Sequence, residues 1–134
     1  MRLCLPQALA AQIAAQTRAA LPGECCGLVL GRRGARAAEV LALHPARNLS
    51  ADPDRFAIAP EDQFAAQRRA RAEGLAVIGC YHSHPRGPAR PSAADLAGAS
   101  EENFLWLIAA PGELAAFVYL GGSFCGADLV MSSS

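Results

Sequence analysis

One nearly continuous apolar run, LAVIGCYHSH from Leu75 to His84, constrains the fold of this chain more than any other feature. A strand in the middle of a sheet is covered on both faces, so its residues form an apolar run rather than an alternating pattern. The run therefore predicts a central strand. That strand ends on two histidines separated by one residue, and Pro85 then begins a loop.

Shorter runs on either side predict the other strands of a mixed sheet. The turn RRGAR makes a hairpin of the first two runs, and PGE joins two more runs near the end of the chain. The predicted strands are CCGLVLG from Cys25, AEVLAL from Ala38, RFAIA from Arg55, FLWLIAA from Phe104, LAAFVYL from Leu114 and the tail segment SFCGADLV from Ser123.

Three segments have helical patterns. In the first, which LPG ends, apolar residues recur at helical spacing with Gln and Arg between them: Leu5, Leu9, Ile13 and Leu21. Pro60 opens a second helix with two acids in its first turn, Gly74 closes it, and Ser92 begins a third. Strands mixed with helices predict one α/β domain over residues 1–134, a mixed sheet flanked by helices.

Composition bears on several classes of function. The net charge is zero, so no broad basic surface indicates nucleic acid binding. No run approaches the roughly 18 apolar residues of a membrane span, and glutamines interrupt the apolar N-terminal segment, so no signal peptide is expected. We therefore expect a cytoplasmic protein with no nucleic acid or membrane partner. The oligomeric state stays open, with a homodimer among the alternatives.

The five cysteines have no repeated spacing, which is a poor disulfide framework, and no C-x-x-C pair for a thiolate zinc knuckle. Cys25 and Cys26 are adjacent, and neighbours on a strand point to opposite faces. We interpret both as packing residues, with a redox role as the open alternative.

His82 and His84 stand two residues apart at the end of the predicted central strand. Residues i and i+2 of a strand point to the same face, so both imidazoles can meet one metal ion at ~2.0–2.1 Å. Placement by chance or for structural reasons is the alternative. The remaining histidine, His44, precedes Pro45 in a loop and is interpreted as a loop residue rather than a ligand.

Ser92 and Asp95 follow a loop rich in Pro and Gly. They form a capping-box-like pair, and one interpretation is that they only start a helix. Alternatively, the loop folds back and brings Asp95 to the histidines, which completes a common ligand set for catalytic zinc with the fourth position left to water. Ser92 can then donate a hydrogen bond to the oxyanion that forms when water attacks a carbonyl.

The attacking water also needs a base, and Glu24 is the best candidate. It directly precedes an apolar strand, where a carboxylate is otherwise unfavourable. A solvated acid in a turn is the alternative interpretation. Glu101, Glu102 and Glu113 lie in polar turns or at helix ends and are interpreted as solvated.

Together these residues resemble the JAMM (MPN+) metalloprotease signature: Glu, then His-x-His, seven residues, Ser, two residues and Asp. Glu24, His82, His84, Ser92 and Asp95 occupy every functional position with both short spacings intact. PGECCGLVLG also resembles the Pro-x-Glu-x-x-Gly segment of small bacterial and archaeal members. The resemblance implies a cytidine deaminase-like fold, zinc bound by the two histidines and the aspartate, the glutamate as general base and then acid, and the serine at the oxyanion.

The resemblance also implies a substrate class, because family members cleave amide or isopeptide bonds after the tail of ubiquitin-like proteins. This short chain is most similar to the small members associated with sulfur-carrier proteins that end in Gly-Gly, so we expect such a partner. A tail can add to a sheet edge, and we expect Arg47–Ile58 near that groove. Arg86 and Arg90 either contact a substrate carboxylate or are solvated.

Two other functions stay open at this point. One is a metal-binding scaffold or interaction module of the same fold that does not turn over substrate. The other is a peptidase that acts in phage tails or on the cell wall.

Overall fold

The computed structural model describes residues 1–133. The elements in chain order are β1 (Arg2–Pro6), α1 (Gln7–Ala20), β2 (Cys26–Arg33), β3 (Ala37–Ala46), α2 (Pro60–Ala72), β4 (Ala76–Ser83), α3 (Ala93–Gly98), β5 (Leu105–Ala110), β6 (Glu113–Leu120) and β7 (Ser123–Ser132). The strands form one mixed sheet in the order β1-β3-β2-β4-β5-β6-β7, and β1 also pairs with β7, so the sheet closes on itself. The predicted mixed sheet with flanking helices is confirmed, whereas the likeness to cytidine deaminases stays a prediction.

Both faces of β4 are covered, which accounts for its apolar run. Tyr81 belongs to a buried cluster that includes Ile13 of α1. Its neighbour Cys80 belongs to a second cluster with Trp106 of β5 and Ala66 of α2. Successive residues of a strand point to opposite faces, so α1 and α2 cover opposite faces of the central strands.

The first strand, β1, was not predicted. Leu3 and Leu5 are fully buried in it, whereas the helical pattern assigned Leu5 to the first helix. The alternation of polar and apolar residues over only five positions is a weak signal beside the longer pattern that begins at the same leucine. Leu21, at the other end of that pattern, lies beyond α1 and is 53% exposed.

The predicted strand at Arg55–Ala59 is wrong. This segment makes one isolated bridge, between Ile58 and Asn48. The amide of Ala57 donates to the side-chain oxygen of Asn48 at 3.0 Å, so a side chain takes the place of a neighbouring strand. We call residues 49–57, which this side chain holds, the 49–57 loop.

The second helix agrees with its prediction. α2 begins at Pro60 with acidic residues in its first turn, and Gly74 follows its end with a φ of 70°. That positive φ is easily reached by glycine. Within residues 1–133, no helix combines the length and apolar character that crossing a membrane requires.

Candidate metal centre

The two histidines meet at the end of the central strand. His82 is fully buried in β4, between its register partners Cys26 of β2 and Ile108 of β5. His84 follows one residue after the strand ends, and its Nε2 atom lies 3.0 Å from Nε2 of His82. The two ring nitrogens therefore converge on one point, as their spacing predicts.

Asp95 reaches both histidines. Its Oδ1 lies 3.0 Å from Nε2 of His82, and its Oδ2 lies 3.1 Å from Nε2 of His84. The start of α3 fixes this carboxylate, because Ser92 Oγ accepts from the Asp95 amide at 3.0 Å and Asp95 Oδ2 accepts from the Ser92 amide at 2.9 Å. The capping interpretation and the ligand interpretation of this pair are therefore compatible.

Glu24 lies just before β2 and faces the same point. Glu24, His82 and His84 each offer a ligand atom, and these atoms lie within 4.8 Å of one another. The glutamate is 5% exposed, and its Oε1 has no hydrogen-bond partner in the described part of the chain. A buried carboxylate oxygen is unfavourable without a partner, so this position suits an atom that binds a water molecule or a proton.

The donor set fits a metal ion. Four ligand atoms placed tetrahedrally at ~2.0–2.1 Å from zinc lie roughly 3.4 Å from one another. The two imidazole nitrogens and the carboxylate oxygens of Asp95 are separated by 3.0 to 3.1 Å. Glu24 can offer an oxygen to the same point, since its ligand atom lies within 4.8 Å of those of His82 and His84.

The two carboxylates have pKa values shifted in opposite directions. Burial raises the pKa of Glu24 to about 7. Burial acts on Asp95 in the same sense, but hydrogen bonds with His82 and His84 outweigh it and hold the pKa of Asp95 below its usual range. Glu24 can therefore accept and release a proton near neutral pH while Asp95 stays ionised.

The pKa values of the two histidines shift in opposite directions, because the hydrogen bond with Asp95 raises the pKa of His84. Burial lowers the pKa of His82, which keeps its ring neutral. Nδ1 of His84 lies 2.9 Å from the carbonyl oxygen of Pro88. A carbonyl only accepts, so this contact places the proton on Nδ1 and leaves the lone pair of Nε2 for a metal.

Ser83 and Phe56 position these groups and were not predicted. Ser83 Oγ accepts from the Cys25 amide at 2.9 Å, and the Ser83 amide donates to the Cys25 carbonyl at 3.1 Å, which ties the residue after Glu24 to β4. Phe56 stacks on the ring of His82 with centroids 4.3 Å apart. The sequence held a signal for Ser83, because a serine inside an apolar strand is buried and needs a hydrogen-bond partner. Nothing in the sequence pattern indicated Phe56.

Two clefts open beside the centre. One, of about 610 Å³, is lined by Glu24, His84 and the loop of residues 85–91, which we call the Pro/Arg loop. Arg90 and the exposed ion pair of Arg86 with Asp54 at 2.7 Å belong to this lining. The other, of about 510 Å³, lies on the far side of Asp95, and the last residues of the Arg47–Ile58 segment line it with Trp106 and Phe104. The end of that segment therefore borders a cleft beside Asp95, and binding of a substrate tail there stays a prediction.

Sequence comparisons match the chain to one family model and to several named proteins. A family model described as prokaryotic homologues of the JAB domain matches residues 6–119. A desampylase of Haloferax volcanii is 34% identical over 105 residues, which are 77% of this chain and 74% of that protein. A probable TtuB-protein conjugate cleaving protease of Thermus thermophilus is 35% identical over 95 residues, 70% of this chain and 61% of that protein. Tail tip assembly protein K of Escherichia phage N15 is 36% identical over 97 residues, 72% of this chain and 36% of that protein.

Solved structures agree with this assignment. A protein of Desulfitobacterium hafniense solved in solution superposes with a TM-score of 0.90 at 30% identity, over 98% of this chain and 94% of that one. A JAB1/MPN domain protein of Archaeoglobus fulgidus, at 20% identity, shares the fold with a TM-score of 0.59 over 97% of this chain and 99% of that one. This chain belongs to the prokaryotic JAB family and is a JAMM-type peptidase, as its motif indicated.

Proposed function

We propose that this protein is a zinc peptidase that cleaves the peptide or isopeptide bond after the C-terminal tail of a ubiquitin-like or sulfur-carrier protein. The observation that carries the proposal is the convergence of His82, His84 and Asp95 next to the buried, unpaired carboxylate of Glu24. Relatives that are named for desampylation and for cleaving TtuB conjugates support the substrate class.

Each residue of the centre has a role in this reaction. His82, His84 and Asp95 would bind the zinc ion, which when bound supplies a water molecule acidic enough to act near neutral pH. Glu24 accepts the proton of the attacking water and returns it to the leaving amine, and a pKa near 7 suits both steps. Ser92 accepts from the Asp95 amide, which leaves its hydroxyl proton available to the oxyanion.

The two clefts support an extended, narrow substrate. Asp95 lines one cleft, and Glu24 and His84 line the other, so a tail that occupies both lies beside the metal centre. Glycines have no side chains, so a Gly-Gly tail suits a close approach to this centre. On the other side of the scissile bond, Arg90 is exposed in the cleft and can contact a carboxylate of the leaving group.

A peptidase of phage-tail or cell-wall type is the second candidate, because the chain is 36% identical over 97 residues to the tail tip assembly protein. The same residues would perform the hydrolysis, and only the substrate would differ. A scaffold without turnover is less favoured, since such a role gives no reason to bury an ionisable and unpaired carboxylate beside the metal ligands.

The test is hydrolysis of a sulfur-carrier protein whose Gly-Gly terminus is extended by a cysteine, followed by mass spectrometry. We expect loss of the cysteine with wild-type protein, no loss after chelation, and recovery when zinc is added back. Glu24→Gln should bind zinc and leave the tail intact, since glutamine keeps the shape and removes proton transfer. A zinc-loaded wild-type protein that cuts cell-wall peptides and not this carrier would refute the substrate class in favour of the second candidate.

A further inference from the structure

Asn48 uses every hydrogen-bonding position of its side chain. Its Nδ2 donates to the carbonyl oxygens of Glu24 at 3.0 Å and Arg55 at 3.1 Å. Its Oδ1 accepts from the amides of Ser50 and Ala57, both at 3.0 Å. An amide side chain offers two donors and two acceptor positions, so all four are satisfied by backbone groups.

These four bonds join the base to the 49–57 loop. Three go to the loop itself and the fourth goes to the peptide group of Glu24. From the other side, Ser83 holds the neighbouring residue Cys25 against the central strand. The backbone of Glu24 is therefore held between a rigid sheet and a loop that borders both clefts.

The loop also contacts the metal centre directly. Phe56 stacks on His82 with centroids 4.3 Å apart, and Asp54 pairs with Arg86 of the Pro/Arg loop at 2.7 Å. A substrate that moves this loop therefore also moves the groups that are hydrogen-bonded to it. Through Asn48, these groups include the backbone carbonyl of Glu24.

We propose that Asn48 is a positioning residue for Glu24, through which the 49–57 loop sets the direction of the base. The inference rests on the role of Glu24 in the proposed function. The four bonds of Asn48 go to groups other than the metal ligands, so its replacement should leave zinc binding intact. A catalytic group displaced by about 1 Å loses on the order of 100-fold in rate.

Asn48→Asp is the sharpest perturbation. An ionised aspartate has the same shape and still accepts from Ser50 and Ala57, but it cannot donate to the carbonyl of Glu24 or of Arg55. We expect kcat on the cysteine-extended carrier to fall roughly 10- to 100-fold, KM to change less than about threefold, and zinc content to stay at the wild-type value. A rise in KM alone, or loss of zinc, would overturn the proposal.

A control variant separates this role from general damage. Asn103→Asp makes the same chemical change in an exposed turn with a φ of 68°, which aspartate tolerates, so turnover should stay near wild type. Loss of turnover in this control equal to that of Asn48→Asp would overturn the assignment.

A double variant tests whether Asn48 acts through Glu24. If it does, Glu24→Gln with Asn48→Asp should show the same residual rate as Glu24→Gln alone, whereas a merely structural role gives an additive loss.

A second measurement needs no substrate. If the wild type leaves the carrier uncut, the proposed function is refuted, but the role of Asn48 can still be tested in this way. In metal-free protein, the amide resonance of Cys25, which shares a peptide group with the Glu24 carbonyl, should shift in Asn48→Asp. An unchanged Cys25 resonance would overturn the positioning role.

Discussion

In the metal-free protein, Glu24→Gln should have a higher free energy of unfolding than the wild type, by an amount that grows as the pH rises. The same change should abolish turnover. Glu24 is 5% exposed, and burial raises its pKa from 4.5 to about 7. At 1.36 kcal/mol for each pKa unit, keeping this carboxylate ionised in the folded state costs roughly 3 kcal/mol. Glutamine has nearly the same shape and carries no charge, so the variant escapes that cost.

The sign and the pH window follow from the same pKa. In the folded protein Glu24 keeps its proton up to about pH 7, whereas the unfolded chain releases it near 4.5. The folded state therefore binds more protons between these values, and wild-type stability falls as the pH rises through the window. The free energy of unfolding of the variant should equal that of the wild type below pH 4 and exceed it by roughly 3 kcal/mol above pH 8.

Urea unfolding of chelator-treated protein at several pH values measures this difference. Titrating groups far from Glu24 are common to both proteins and cancel in the comparison, whereas the pKa of His84, which Asp95 and also the charge of Glu24 raise, should fall in the variant. Glu113→Gln, at the exposed start of β6, serves as the matched control and should follow the wild-type curve at every pH. A difference between Glu24→Gln and wild type that is flat with pH would refute the claim that Glu24 is a buried carboxylate held near neutrality.

Three further predictions concern single side chains. His82→Ala should reduce bound zinc from about one ion per chain to below roughly a tenth, measured by atomic absorption, while His44→Ala keeps it. Ser83→Ala should lower the free energy of unfolding by about 1–3 kcal/mol, because the buried Cys25 amide loses its acceptor; an unchanged unfolding midpoint would contradict this. Ser92→Ala should lower kcat by roughly 100-fold or more, whereas Ser92→Thr, which keeps the hydroxyl, should retain most of it.

The metal centre could be predicted from the sequence because its parts are encoded locally. Two histidines at i and i+2 share a face of a strand, and a serine three residues before an acidic residue is a common signal of a helix start. The apolar run before His82 also indicated that the strand is central, which explains why His82 is fully buried. What joins Glu24 to these residues is the register between β2 and β4. The position of Glu24 before an apolar strand made it a candidate, and the resemblance to a family supported that choice.

The wrong predictions of secondary structure concern segments whose hydrogen-bond partners lie outside the segment itself. The partners of β1 lie more than 30 residues away in β3 and more than 120 residues away in β7. A five-residue pattern could therefore not reveal that the sheet closes. The segment Arg55–Ala59 has the alternation of a strand, but the side chain of Asn48, nine residues before Ala57, already accepts from the Ala57 amide. The alternation within these five residues carries no information on a hydrogen bond from a side chain outside them.

The elements that hold the centre differ in rigidity, and this has a consequence for function. His82 lies in a strand paired on both sides, so changes elsewhere on the surface have little leverage on the metal ligands. Glu24 instead follows a loop and depends on side-chain hydrogen bonds to Asn48 on one side and, through Cys25, to Ser83 on the other. Substrate contacts that move the 49–57 loop therefore also act on the backbone of Glu24. In this architecture, specificity for a substrate can enter through kcat as well as through binding, because docking against the loop affects the position of the proposed base.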